Sequence, residues 1–128
     1  MIHRQLYIGS WICDFFFASD SLGRSRILRL LYRYGATDDL LERAGDIIDG
    51  GYDKGFTYTN HVLKHSIVVI GPTSSGAEFL DSFVHEVRHL ANDIAEELGY
   101  DLDAEMPSYL SGDAARELAE DICRLGCR

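Results

Sequence analysis

No apolar run in this chain approaches the ~20 residues needed to cross a membrane. The opening Met1-Ile2-His3-Arg4 leads into an alternating strand pattern, without the charged segment and small-residue cleavage site of a secretion signal. Cysteine is scarce. Cys13, Cys123 and Cys127 are odd in number and form no C-x-x-C pair, which argues against a disulfide scaffold and a Cys/His metal site and points to a reduced, cytoplasmic protein. Positive charge is short as well: 12 Lys and Arg face 21 Asp and Glu, a formal net charge of -9. With no basic patch interleaved with aromatics, this balance argues against nucleic acid as the main partner. Internal repeats, low-complexity stretches and linkers are also missing. What remains is 128 residues with 46% apolar and 26% charged content, one domain spanning residues 1–128 with enough chain for a real core.

Against these absences stands the run His85-Glu86-Val87-Arg88-His89. Two histidines four apart lie about one helical turn from each other on one face, so both imidazoles can reach one metal ion. The glutamate between them can act on an attacking water. This H-E-x-x-H spacing implies zinc-dependent hydrolysis, provided that it lies on a helix and a third ligand is available. Leu80, Phe83, Val84, Val87, Leu90, Ala91, Ile94 and Leu98 follow helical spacing as an apolar stripe. At about 100° per residue, His85 and His89 point roughly opposite that stripe. The competing reading is a solvated face, which Glu78, Asp81, Asn92 and Glu96 share.

Gly99 reads as the stop of this helix, and Asp101 or Asp103 can cap the next. A second amphipathic segment runs to about Gly126, with Leu110, Ala114, Leu118, Ile122 and Leu125 as its buried stripe. Glu105 stands near its start, just before Pro107, and Tyr109 lies one turn later. Glu105 is the chosen third zinc ligand, although a first-turn acid also suits the helix dipole. Asp113 and Glu117 are weaker ligand candidates, and Asp113 could instead accept the outer N–H of His85 or His89.

The other segments carry no catalytic constellation. Gln5–Ile8 and Trp11–Phe17 read as strands around the turn-like Gly9-Ser10. The phenylalanine run at 15–17 fits a buried strand better than a binding surface. Ser19, Asp20 or Ser21 can cap a helix to about Tyr34, with Ile27, Leu28, Leu30 and Leu31 buried. Arg24, Arg26, Arg29 and Arg33 crowd that helix. They suit a phosphate or acidic-peptide site, or a solvated face paired with the chain's own carboxylates, and the acidic composition favours the second. Thr37 or Asp38 caps a third helix stopped by Gly50-Gly51. Residues 56–59 and 66–70 read as strands. Thr73, Ser74 or Ser75 then caps the histidine-bearing helix, with Glu78 completing a capping box from Ser75. Gly71–Gly76 lacks the Gly-Lys-Ser/Thr ending of a phosphate loop. The order strands, helices, strands, helices implies an α+β domain with helices on one face of a small sheet. His61 and His65 read as surface loop residues, either of which could instead polarise a carbonyl.

About half of the chain resembles the gluzincin branch of the zincin metallopeptidases, and more closely small zincin-like proteins of phage and prophage genomes. The stretches are G-F-T-Y-T-N at 55–60, S-I-V-V-I-G at 66–71, T-S-S-G-A-E-F-L at 73–80, H-E-V-R-H at 85–89 and E-M-P-S-Y-L-S-G at 105–112. The spacing to Glu105 is shorter than in better-known gluzincins, and a proline follows closely. The resemblance implies a minimal zincin-like domain, with zinc on His85, His89 and Glu105 and Glu86 as general base. The expected substrate is a peptide or protein, with Tyr109, His61 or His65 assisting at the carbonyl oxygen and an extended substrate added to a sheet edge at 56–59 or 66–70. The alternative is a non-catalytic zincin-like structural or assembly protein. Small size favours that alternative, and an intact Glu86 opposes it. The oligomeric state has no signal in the sequence.

Overall fold

The computed structural model describes residues 1–20, 22–99 and 106–126. Along the chain run β1 (Ile2–Ile8), β2 (Trp11–Phe17), α1 (Arg24–Arg33), α2 (Asp38–Asp49), β3 (Gly55–Asn60), β4 (His65–Ile70), α3 (Gly76–Glu97), α4 (Met106–Glu117) and α5 (Ala119–Gly126). The class is α+β, as the element order implied.

The strands form one mixed sheet in the order β1-β2-β4-β3. Two antiparallel hairpins supply its halves. In the first, Ile8 pairs with Trp11 across Gly9-Ser10, and Gly9 takes a φ of +60° that glycine adopts without a Cβ penalty. The halves meet through β2 and β4, which run parallel and pair Phe15 with Val68. Parallel neighbours need a long crossover, and α1, α2 and β3 provide it.

These two central strands decide how the helices are arranged. Phe15, Phe16 and Phe17 are fully buried, as are Ile67, Val68 and Ile70. Side chains alternate between faces, so a continuous apolar run must be covered on both. Trp11, Cys13, Phe15, Phe17, Val68 and Ile70 pack with α3, α4 and α5. Phe16, Ile67 and Val69 pack with α1 and α2. The expectation of helices on one face is thus corrected to helices on both.

Local chemistry sets most boundaries. Thr37 Oγ1 accepts from Leu40 N at the start of α2, and Ser75 Oγ accepts from Glu78 N at the start of α3, so both sequence-read caps form. Gly99, at φ +79°, follows the end of α3. The first helix differs. Its N-cap is Gly23, with no side-chain cap, because Asp20 instead folds the preceding turn by accepting from Leu22 N. The expected C-terminal helix divides at Leu118, although Leu118 N still donates to Ala114 O and Ile122 N to Leu118 O. Arg4 of β1 grips the buried Asp121 of α5 through Nε and Nη2, at 3.0 and 3.3 Å. No helix among the described residues is long and apolar enough to cross a membrane.

Candidate metal centre

The rotation of α3 about its axis determines what each residue of the motif can do. Its buried stripe is Phe79, Phe83, Glu86, Val87, Leu90, Ala91, Ile94 and Ala95. This is shifted from the expected stripe: Phe79 is inside, while Leu80, Val84 and Leu98 are 39%, 65% and 52% exposed. Polar bonds to the sheet hold that setting. Thr57 Oγ1 donates to Glu86 Oε1 at 2.9 Å. Thr59 Oγ1 donates to Asp93 Oδ2 at 2.8 Å. With its one proton so used, Thr59 accepts from Ser66 Oγ at 2.8 Å, and Ser66 in turn accepts from Trp11 Nε1 at 3.0 Å. Farther along, His61 Nδ1 meets Glu97 Oε2 at 3.1 Å.

His85 and His89 emerge on the exposed side of the helix. Their Nε2 atoms lie 3.2 Å apart, with the rings nearly perpendicular at 82°. That separation suits a shared zinc ion: two nitrogens at the usual Zn–N distance and a tetrahedral angle stand ~3.3 Å apart. Glu86 occupies the same turn but turns inward and is only 6% exposed. Ligand atoms of His85, Glu86 and His89 all fall within 4.8 Å of one another. A fully solvated motif is therefore excluded for Glu86, though exposure holds for both histidines.

Glycine is required beside Glu86. A Cβ at Gly55 would lie 2.9 Å from Val69 O, 3.3 Å from Glu86 Oε2 and 3.4 Å from Glu86 Cγ. Gly55 and Thr57 thus form the wall against which the carboxylate rests. The motif alone did not single them out. The signal was available in the alternation of β3, where Gly55, Thr57 and Thr59 share one face. On the other face, Phe56 and Tyr58 pack toward α1 and α2.

The remaining expected participants are placed as follows. Glu105 lies outside the described residues. Asp113 accepts from Arg116 Nη2 at 2.7 Å and lines a cleft with Glu117 and residues 5–9. Neither Asp113 nor Glu117 belongs to the histidine group, so neither stands as a ligand beside His85 and His89. Tyr109 is 61% exposed on α4. Exposed His61 meets Glu97, as already described. His65 overturns its loop assignment: it begins β4, is 2% exposed, and bonds Asp14 on the α1 face at 2.6 Å. The strand turns its ring away from α3, so it cannot assist at this centre. Asn92 Oδ1, one turn after His89, is a buried acceptor without a hydrogen-bond partner among the described residues.

Two imidazole nitrogens and an adjacent carboxylate suit a metal-assisted hydrolysis once a third ligand is supplied. Comparison with protein-family models, with curated proteins and with solved structures finds no match.

Proposed function

We propose that the chain is a zinc-dependent hydrolase of peptide bonds, with His85, His89 and Glu105 as the residues that would hold zinc. The observation that carries this reading is the pair of Nε2 atoms 3.2 Å apart beside a buried glutamate held by Thr57. Zinc, when bound, supplies Lewis acidity toward a substrate carbonyl and makes water easier to deprotonate.

The chain's own residues supply the rest. Glu86 Oε1 is fixed by the Thr57 hydroxyl, which orients the carboxylate as a proton acceptor. It takes the proton of the attacking water and passes it to the leaving amine. Burial keeps this carboxylate from wandering among rotamers and preorganises the transfer. Of the two strands considered for substrate, β4 is internal and β3 is at the sheet edge. An extended peptide would therefore add beside β3, whose Thr57 already touches Glu86. Tyr109 would stabilise the developing oxyanion.

The test is a peptide-cleavage screen with a chelator control, followed by Glu86→Gln and Glu105→Ala. Glu86→Gln should retain zinc and lose hydrolysis, because its amide does not take the proton at neutral pH. Glu105→Ala should lose zinc affinity. Cleavage by Glu86→Gln at the wild-type rate would refute the assigned base. Zinc binding without cleavage of any screened substrate would favour a non-catalytic assembly role.

A further inference from the structure

The face of the sheet opposite α3 carries a second polar constellation. Asp14 is the one charged residue of β2 and is 2% exposed. Its Oδ1 meets His3 Nε2 at 2.7 Å and accepts from Gln5 Nε2 at 3.2 Å. Its Oδ2 meets His65 Nε2 at 2.6 Å. The other nitrogen of His3, Nδ1, lies 2.8 Å from Arg26 Nη2. A guanidinium can only donate, so Nδ1 is the acceptor and the His3 proton sits on Nε2, donated to Asp14. Both rings are clamped: His3 stacks on Phe16 at 4.3 Å and His65 on Tyr34 at 3.7 Å. The buried charge of Asp14 is thereby satisfied by three donors, as burial demands.

Above this floor opens a cavity of about 300 Å³, walled by Arg26, Arg29 and Arg33 of α1. The spacing i, i+3, i+7 puts the three guanidinium groups on one stripe. Three arginines of this acidic chain have carboxylate partners, Arg4 with Asp121, Arg24 with Asp49 and Arg116 with Asp113, whereas among the described residues Arg43, Arg88 and Arg124 stand singly and share no cavity with one another. Among the described residues, Arg26, Arg29 and Arg33 have no carboxylate within 4.0 Å. The expectation that this helix's arginines pair with the chain's own acids therefore holds for Arg24 and is corrected for these three. Three guanidinium groups against one carboxylate leave about two positive charges facing the cavity. The ring nitrogens of these histidines are already engaged, both Nε2 atoms with Asp14 and the Nδ1 of His3 with Arg26.

We infer that this cavity binds a phosphate dianion, presented as a small phosphate monoester or as free phosphate. A dianion balances the excess charge, and guanidinium forks match phosphate oxygens in pairs. Leu30 gives an organic substituent an apolar wall. A volume of about 300 Å³ is at the small end of ligand sites, which favours a small molecule. Binding would draw Arg26 onto the phosphate and release the Nδ1 of His3.

The test is calorimetric titration of the full chain with inorganic phosphate and with glycerol phosphate, at low ionic strength. Saturable one-to-one binding is expected. Arg29→Gln and Arg33→Gln should each weaken it about tenfold. Both residues are on the surface, so these variants should fold, and circular dichroism checks that they do. Arg116→Gln, whose arginine is paired on α4, should bind as wild type does. His85→Ala/His89→Ala should also bind normally, which separates this site from the metal centre. Tighter binding of glycerol phosphate identifies the monoester, and equal binding identifies free phosphate. Absence of saturation by about 10 mM, equal loss in Arg116→Gln, or loss in the histidine double variant would overturn the inference.

Discussion

Replacing Thr57 with valine probes the element that holds the proposed base. Valine keeps the branched shape that suits a strand, so the backbone of β3 should be little affected. What disappears is the hydroxyl that donates to Glu86 Oε1 at 2.9 Å and lies 3.2 Å from Glu86 O. One proton cannot serve both acceptors fully, and the shorter contact to the carboxylate takes it. A hydrogen bond to a charged group contributes about 1.5–3 kcal/mol. Glu86 is only 6% exposed, so water replaces the lost donor poorly. The expected cost is about 2 kcal/mol, a fall in Tm of about 6–10 °C for a domain of this size. Urea denaturation of wild type, Thr57→Val, Glu86→Gln and the double variant measures it. In Glu86→Gln the acceptor becomes a neutral amide oxygen, and charge-assisted bonds are roughly twice as strong as neutral ones. The valine substitution should then cost about 1 kcal/mol less in that background. A stability change below about 0.5 kcal/mol, or the same cost in both backgrounds, would refute the Thr57–Glu86 bond.

Gly55→Ala should cost about 1–3 kcal/mol, measured by the same denaturation, because its Cβ would press on Val69 O at 2.9 Å and Glu86 Oε2 at 3.3 Å. Asp14→Ala should cost about 3 kcal/mol in thermal unfolding, since it removes the acceptor of three side-chain hydrogen bonds, from His3, Gln5 and the buried His65. Burial, aided by the charge of Asp14, pushes the Cys13 thiol up from 9.0 to about 12. A raised folded-state value means that this contribution to stability is complete below about pH 9 and is lost as pH rises toward 12. Cys13→Ala should flatten that alkaline loss in pH-dependent denaturation. At neutral pH, peptide mapping after alkylation should find exposed Cys123 labelled in the native protein and buried Cys13 labelled only after unfolding.

The parts readable from the sequence were those governed by neighbours along the chain. The hairpin around Gly9-Ser10, the caps Thr37 and Ser75 and the stop at Gly99 each follow from local backbone chemistry. The parallel pairing of β2 with β4 depends on residues about fifty positions apart, such as Ile12 and His65, and it is this pairing that buries both sheet faces. Glu86 illustrates a finer failure. A rotation of the stripe by about 25°, with Phe79 inside and Val84 outside, carries the glutamate from the surface into the core. Only the partners on β3 specify that rotation. Likewise, His3, Asp14 and His65 come together through sheet register. Their one sequence signal was an aspartate within the apolar run Trp11–Phe17, a charge that had to find a partner.

Whether His85 and His89 hold zinc, as proposed, is decided by metal content. Protein produced without a histidine tag should be dialysed against micromolar zinc, freed of excess and analysed for elements. About one zinc per chain is expected, lost in His85→Ala/His89→Ala. A wild-type chain that stays metal-free, or a double variant that keeps its zinc, would contradict it.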